Sequence, residues 1–206
     1  MLISHNWLKK YLPTLDELSK HQIAESLTIK LAEVESIKPV REEIQNVIVG
    51  EVIEANKIEK SKNLTHTKVK ISDSEIKDII CGAPNVTKGI KVAVCLPGGV
   101  VYNAHGDSPK TIEIGTKTLF EVTSFGMICS EKELGISNAH EGIMILEPEI
   151  PVGTDLGPFL KDYIYEIENK SLSNRPDCFS HRGIAREISA ILNIPFVEND
   201  QLLLFF

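Results

Sequence analysis

The sequence predicts an α+β protein in which a small β-barrel is inserted into a split helical or α+β domain, and three observations carry that prediction. Patterns with helical spacing stand near both ends of the chain, short β-type runs fill the middle, and no internal repeat or low-complexity segment relates the two textures. The termini of one domain commonly lie close together, so a second domain can interrupt the first without unravelling it.

Taken in order, Ser4, Trp7, Leu8 and Tyr11 predict a short helix or turn whose aromatics pack on a small core. Next, Thr14 with Glu17 has the Ser/Thr-x-x-Glu form of a capping box, and Leu18, Ile23, Leu27 and Leu31 follow near helical spacing. This predicts a helix opening at Thr14.

From Asn46 to Leu146 the runs VIVGEVIEA, LTHTKVKI, IKDIIC, GIKVAVCL, TIEI, KTLFEV and GIMIL have the length and spacing of strands in a small barrel. In LTHTKVKI, Thr67, Val69 and Ile71 alternate with His66, Lys68 and Lys70, so one face of that strand is basic. CLPGGV reads as a Pro-Gly-Gly turn and CGAPNVTKG as a second turn-rich connection. Beyond Pro148 come a loop, EIPVGTDLGPFL, and a strand, DYIYEIE. The helix SHRGIAREISAIL closes the series with Ile184, Ile188, Ile191 and Leu192 on one face.

Composition narrows the function classes. With 206 residues, 42% hydrophobic and 25% charged, the chain is an ordinary globular protein with enough apolar material for a packed core. No run reaches the roughly 18 to 20 apolar residues of a membrane span, and the N-terminus lacks signal-peptide features, so a cytoplasmic location is expected. Cys81, Cys95, Cys129 and Cys178 are widely spaced with no CxxC pair, which predicts free thiols and no zinc site. The net charge of −7 argues against wholesale coating of nucleic acid. Locally, however, Lys57, Lys60, Lys62, Lys68 and Lys70 face only Glu59.

The stretch NRPDCFSHRGIAREI gathers residue types used in nucleophilic catalysis, with Cys178 and His181 three apart. A structural reading explains more of it. Pro176 stiffens the approach, Asp177 or Ser180 caps the first turn, and Gly183 allows close packing. Asn174, Arg175, Asp177 and Ser180 then form a latch, leaving a cysteine hydrolase as the minor alternative. The glycines match neither G-x-G-x-x-G nor G-x-x-x-x-G-K-[ST]. The histidines at 5, 21, 66, 105, 140 and 181 form no i, i+4 pair.

The basic strand face is the constellation that points to a partner. Small barrels of the oligonucleotide-binding type track a phosphate backbone on one strand face and stack bases on aromatics. Here cations are present while aromatics are scarce, with Tyr102, Phe120 and Phe125 available inside the β block.

Together, SHNWLKKYL, ICGAPNV, SFGMICSEKELGI, EGIMIL and NRPDCFSHRGIAREISAIL resemble, in order and from about Ser4 to Val197, the N-terminal part of the bacterial phenylalanyl-tRNA synthetase beta subunit. The resemblance implies an oligonucleotide-binding barrel at residues 40–151 interrupting a split domain made of residues 1–39 and 152–200, and a chain cut from a longer subunit, with the apolar ending QLLLFF placing the start of a further element at 201–206. It implies tRNA(Phe) and an alpha subunit as partners in an alpha2-beta2 assembly. It also implies a role supporting ATP-dependent attachment of phenylalanine to tRNA(Phe) by scaffolding and weak tRNA binding. ATP and magnesium belong to the aminoacylation centre elsewhere in that enzyme, so no catalytic, metal or cofactor residue is assigned here. A free-standing tRNA-binding barrel protein is the alternative.

The chain departs from the family pattern in two places. Where His-Pro-x-Ala-Asp-x-Leu is common, residues 58–64 read IEKSKNL; where Lys-x-Arg-Gly-x-x-Ser-x-Gly-Met is common, residues 118–127 read TLFEVTSFGM, with Phe120 in place of the arginine. The candidate RNA-binding residues are Lys57, Lys60, Lys62, Asn63, His66, Lys68, Lys70, Ser124 and Ser130.

Overall fold

A computed structural model describes residues 1–104 and 110–198. The chain divides into two units, Met1–Val40 with Asp162–Phe206, and Arg41–Lys161. The first unit begins with β1 (Leu2–Ser4), α1 (His5–Lys9), α2 (Lys20–Lys30) and β2 (Val34–Val40). The second carries β3 (Gln45–Lys57), β4 (Thr65–Lys70), β5 (Ile76–Cys81), β6 (Lys91–Tyr102), β7 (Thr111–Glu113) and β8 (Thr116–Leu119). It continues with β9 (Val122–Phe125), β10 (Met127–Ile128), β11 (Ile145–Leu146) and α3 (Gly157–Leu160). The chain returns to the first unit as β12 (Asp162–Ile167) and α4 (His181–Leu192).

In the first unit β12, the expected DYIYEIE strand, lies between β1 and β2 in an antiparallel sheet. Strand β2 is not expected from the sequence. Its alternation is broken by charges and by Pro39, which is tolerated because β2 is an edge strand. Leu8, Leu12, Leu15, Ile23, Leu27, Tyr165, Ile184 and Ile188 form one core. Each fully buried Ile or Leu there contributes about 1.5–3 kcal/mol of apolar transfer. Trp7, expected in that core, is 40% exposed and instead lies with its ring 5.2 Å from that of His181.

The start of the first long helix also differs from expectation. Thr14 makes no side-chain cap, Leu15–Glu17 is a separate 3-10 turn, and Leu18 is extended. The capping box is Ser19 with Gln22, where the Ser19 hydroxyl accepts the Gln22 N–H at 3.1 Å and the Gln22 side chain accepts the Ser19 N–H at 2.9 Å. Both boxes fit the local rule. Packing selects the later one, because the 3-10 turn sends Leu15 fully into the core.

In the second unit the strand order is β10-β6-β3-β4-β5, with β7 and β11 also on β6, and β8 paired with β9 as a hairpin. Thus KTLFEV is two strands around a reversal rather than one. β3 and β6 are buried on both faces: Val49, Ala93 and Cys95 enter one cluster, while Val52, Val92 and Val94 enter another. That explains the unbroken apolar run VAVC, since a strand covered on both sides need not alternate. CLPGGV is no hairpin turn either. Gly98, at φ 80, sits inside β6 where the register against β3 shifts between Gln45 and Val47, so the glycines bend one long strand. The ladder path among the described residues does not close, with β5 and β10 standing at its two ends.

Residues 152–161, expected with the split domain, fold with the second unit. Thr154 and Val47 carbonyls accept from Val49 and Leu156 N–H groups, each at 2.9 Å, and Leu156 and Leu160 join its core. The Gly- and Pro-rich composition of that segment concealed the two buried leucines. The segment 201–206 lies outside the described residues. No described helix is long and apolar enough to cross a membrane.

Candidate nucleic-acid interface

After β3 the chain makes a closed loop, with the Leu64 carbonyl accepting the Ile58 N–H at 3.0 Å and the Ile58 carbonyl accepting the Ser61 N–H at 2.9 Å. That loop carries Lys60, Lys62 and Asn63. The β4–β5 register pairs Thr65 with Cys81, which brings the Gly82–Pro84 turn beside the loop. Together with Lys57, Lys62, Asn63, Leu64 and Thr65, this turn lines a concavity of about 510 Å³. Gly82, Ala83 and Pro84 read in the sequence as a connection only. Their place in the site follows from strand register, which no local signal reveals.

Along β4, Thr67 and Val69 are buried while His66, Lys68 and Lys70 face outward, as the alternation predicts. The outward face is nevertheless charge-compensated. Lys68 pairs with Glu54 at 3.3 Å, Lys70 with Asp73 at 3.3 Å, His66 with Asp78 at 2.7 Å and Lys60 with Glu121 at 3.8 Å. Glu54 and Asp78 arrive from β3 and β5, directly across the ladder from Lys68. Among the described residues no carboxylate lies within salt-bridge distance of Lys57 or Lys62. Exposed pairs are weak, about 0–1 kcal/mol, so phosphates can compete for them. The two unpaired lysines require no such exchange.

Ser124 and Ser130, expected at an RNA surface, are 6% and 5% exposed. Ser124 Oγ donates to the Gly126 carbonyl at 3.1 Å and accepts the Ile80 N–H at 3.0 Å, tying β9 to β5. Ser130 Oγ donates to Glu133 at 2.9 Å. Both hydroxyls are thus engaged inside the protein. Of the three aromatics, Tyr102 donates its hydroxyl to Glu43 at 3.0 Å and Phe125, 37% exposed, lies under the Lys77 ammonium at 5.4 Å. Phe120 is 44% exposed.

The latch forms around helix α4. The Arg175 guanidinium grips Asp177 in two hydrogen bonds of 3.0 and 2.9 Å and reaches Glu187 at 2.6 Å, while Arg186 meets Asp177 at 3.3 Å. Hydrogen bonding from Arg175 holds the Asp177 carboxyl down at about 2. Ser180 caps α4 by accepting the Gly183 N–H at 3.0 Å, and Asn174 is exposed in the preceding turn. Cys178 is fully buried, and its burial pushes the thiol up. His181 Nε2 accepts the Ser4 N–H at 3.0 Å. The cysteine hydrolase alternative therefore lacks an accessible thiolate and a free base. Asp177, Cys178 and Glu187 bring their ligand atoms within 4.8 Å of one another, but Arg175 and Arg186 already neutralise those carboxylates.

Residues 47–155 match the model of a family described as putative tRNA binding domain. The chain is 41% identical over 198 residues to the phenylalanine–tRNA ligase beta subunit of Coxiella burnetii, a match covering 95% of this chain and 23% of that protein. It is 40% identical over 195 residues to the same subunit from Fusobacterium nucleatum, covering 94% of this chain and 23% of the relative. The chain thus spans about a quarter of the length of these relatives, matching their N-terminal portion.

Proposed function

This chain belongs to the putative tRNA binding domain family over residues 47–155, and from that premise we propose that it is the N-terminal, tRNA-facing portion of a phenylalanine–tRNA ligase beta subunit. In this reading it holds tRNA(Phe) weakly and serves as scaffold while an alpha subunit, in a cytoplasmic alpha2-beta2 enzyme, attaches phenylalanine at the expense of ATP. The second unit is then an oligonucleotide-binding barrel, a reading supported by the five-strand path and by the Ser124 hydroxyl that links β9 to β5 where no ladder runs. The first unit is the split domain whose two sequence segments flank it along the chain.

The ATP and magnesium of such an enzyme are read as belonging outside this chain, and Asp177, Cys178 and Glu187 are the group of potential metal ligands that the described residues bring together. Magnesium sites need carboxylates free to take the ion, whereas Asp177 and Glu187 are held by arginines. No catalytic step is assigned to this chain.

The observation that carries the RNA role is that Lys57 and Lys62, beside Asn63 at the concavity, have no carboxylate partner among the described residues. Binding through so few phosphate contacts belongs near the non-specific range, roughly 10⁻⁴ to 10⁻⁶ M, and falls steeply with salt. The test is titration with tRNA(Phe) at two salt concentrations. Lys57→Glu with Lys62→Glu is expected to weaken binding and flatten the salt dependence more than Lys68→Glu with Lys70→Glu. Salt-independent binding, or equal loss in the two double variants, would contradict the assignment.

A further inference from the structure

Phe120 and Glu121 are the two loop residues of the β8–β9 hairpin, flanked by the paired Leu119 and Val122. Both lie at positive φ, 49° and 67°. A two-residue hairpin with positive φ at both positions favours Asn-Gly or Asp-Gly, because a bulky side chain there is strained. This hairpin nevertheless places a phenylalanine at its tip, and Phe120 is 44% exposed rather than folded into a core. Strain retained together with an exposed aromatic points to use of the ring outside the fold.

The surroundings select its partner. Glu121 meets Lys60 at 3.8 Å, which sets the hairpin tip beside the loop bearing Lys62 and Asn63. The hairpin's outward side is polar, with the Thr118 and Thr123 hydroxyls 3.0 Å apart. One apolar ring among lysines, threonines and an amide lacks the contiguous apolar area of a protein interface. It has the makeup of a site for single-stranded nucleic acid, where a base stacks on an aromatic and neighbouring cations meet the phosphates. Phe125 is less suited, since the Lys77 ammonium already occupies its ring.

We infer that Phe120 is a stacking platform for an unpaired base of single-stranded RNA, with Lys60 and Lys62 meeting the flanking phosphates. This inference rests on the tRNA-binding reading above. Lys60 exchanges its solvent-exposed partner Glu121 for phosphate when RNA arrives.

The test uses the whole 206-residue chain, a tRNA(Phe) transcript, a short unstructured RNA and a blunt RNA duplex. Phe120→Asn suits the positive φ and replaces the ring with a short uncharged amide that offers no stacking face, so the urea midpoint should hold or rise. Its affinity for tRNA and unstructured RNA should fall about tenfold with the salt slope unchanged, because stacking is lost and no charge is altered. Duplex binding should not change. Phe120→Trp should bind at least as well as the native chain, with RNA quenching an indole signal that the chain carrying only Trp7 does not show. If Phe120→Asn binds every RNA like the native chain while Lys57→Glu with Lys62→Glu does not, the inference fails and the RNA reading stands. If the native chain shows no salt-dependent RNA binding, both fail. Loss of the hairpin fold in both Phe120 variants, together with loss of binding, would make the ring structural and overturn the inference.

Discussion

The carbonyl oxygen of Asp177 lies 1.7 Å from the point where a β-carbon on residue 183 would stand. Gly183 is therefore required by backbone contact, at the place where the latch turn crosses the first turn of α4. Gly183→Ala should destabilise the chain by about 3 kcal/mol or more, since the obstacle is backbone and cannot swing aside. Gly115→Ala, with nothing within 4 Å of the added carbon, should stay within about 0.5 kcal/mol of the native value. Urea unfolding of both variants measures the contrast; a loss under about 1 kcal/mol for Gly183→Ala would contradict it.

A second contrast separates the two capping boxes. Ser19→Ala removes an acceptor that the Gln22 N–H uses and should cost about 1 kcal/mol. Thr14 Oγ1 is buried without a hydrogen-bond partner, so Thr14→Val should be neutral or stabilising by up to about 1 kcal/mol. Thermal or urea denaturation of the two variants reads the difference. Equal losses would restore Thr14 as the cap.

Buried His5 and half-buried His181 predict an acid-sensitive fold. Burial lowers both His5 and His181 below their ordinary value of 6.5, with Asp16 opposing the shift at His5 and Asp162 opposing it at His181. The unfolded chain therefore takes up protons first. The stability these neutral rings contribute is complete above about pH 6.5 and is lost as pH falls from there through the lowered folded values. At His181 protonation also removes the Nε2 acceptor used by the Ser4 N–H. The urea midpoint should fall between about pH 7.5 and pH 5.5, and His181→Asn should show a shallower fall. An unchanged pH slope in that variant would exclude His181 as a contributor.

All four cysteines are buried, and desolvation raises each thiol, Cys95 to about 12. A thiol reagent at neutral pH should label the folded chain at least about 100-fold more slowly than the unfolded one, with Cys178 no faster than the rest. Fast labelling confined to Cys178 would revive a catalytic reading of that residue.

The pair Lys60–Glu121 gives a last measurable consequence. Glu121→Gln frees Lys60 and removes a charge that repels phosphate, so tRNA affinity at low salt should rise about two- to fivefold, the scale of one exposed pair. An unchanged or weaker affinity would place the hairpin tip outside the RNA surface.

How much of this was legible depended on distance along the chain. The alternation of β4 and the latch of Arg175 with Asp177 are local patterns, visible because two-residue periodicity and an i, i+2 ion pair leave their mark within a few positions. So is Asp73, three residues from its partner Lys70. The choice of Ser19 over Thr14 was not legible, since both boxes satisfy the same rule and only burial of Leu15 separates them. Nor was the bend at Gly98, because Pro-Gly-Gly signals a break in direction without saying whether the strand reverses or continues.

By itself the sequence determined that helices lie at both ends and strands between them, and which motifs identify its relatives, because these rest on near-neighbour residues. Tertiary structure alone decided which cations remain available. Glu54 reaches Lys68 and Asp78 reaches His66 only through the register of three strands, and Glu121 meets Lys60 only because a hairpin places it there. Coulomb attraction depends on separation in space, so a stretch that reads as one basic stripe becomes a compensated sheet face, with Lys57 and Lys62 unpaired among the described residues at the concavity and Phe120 exposed at the hairpin tip.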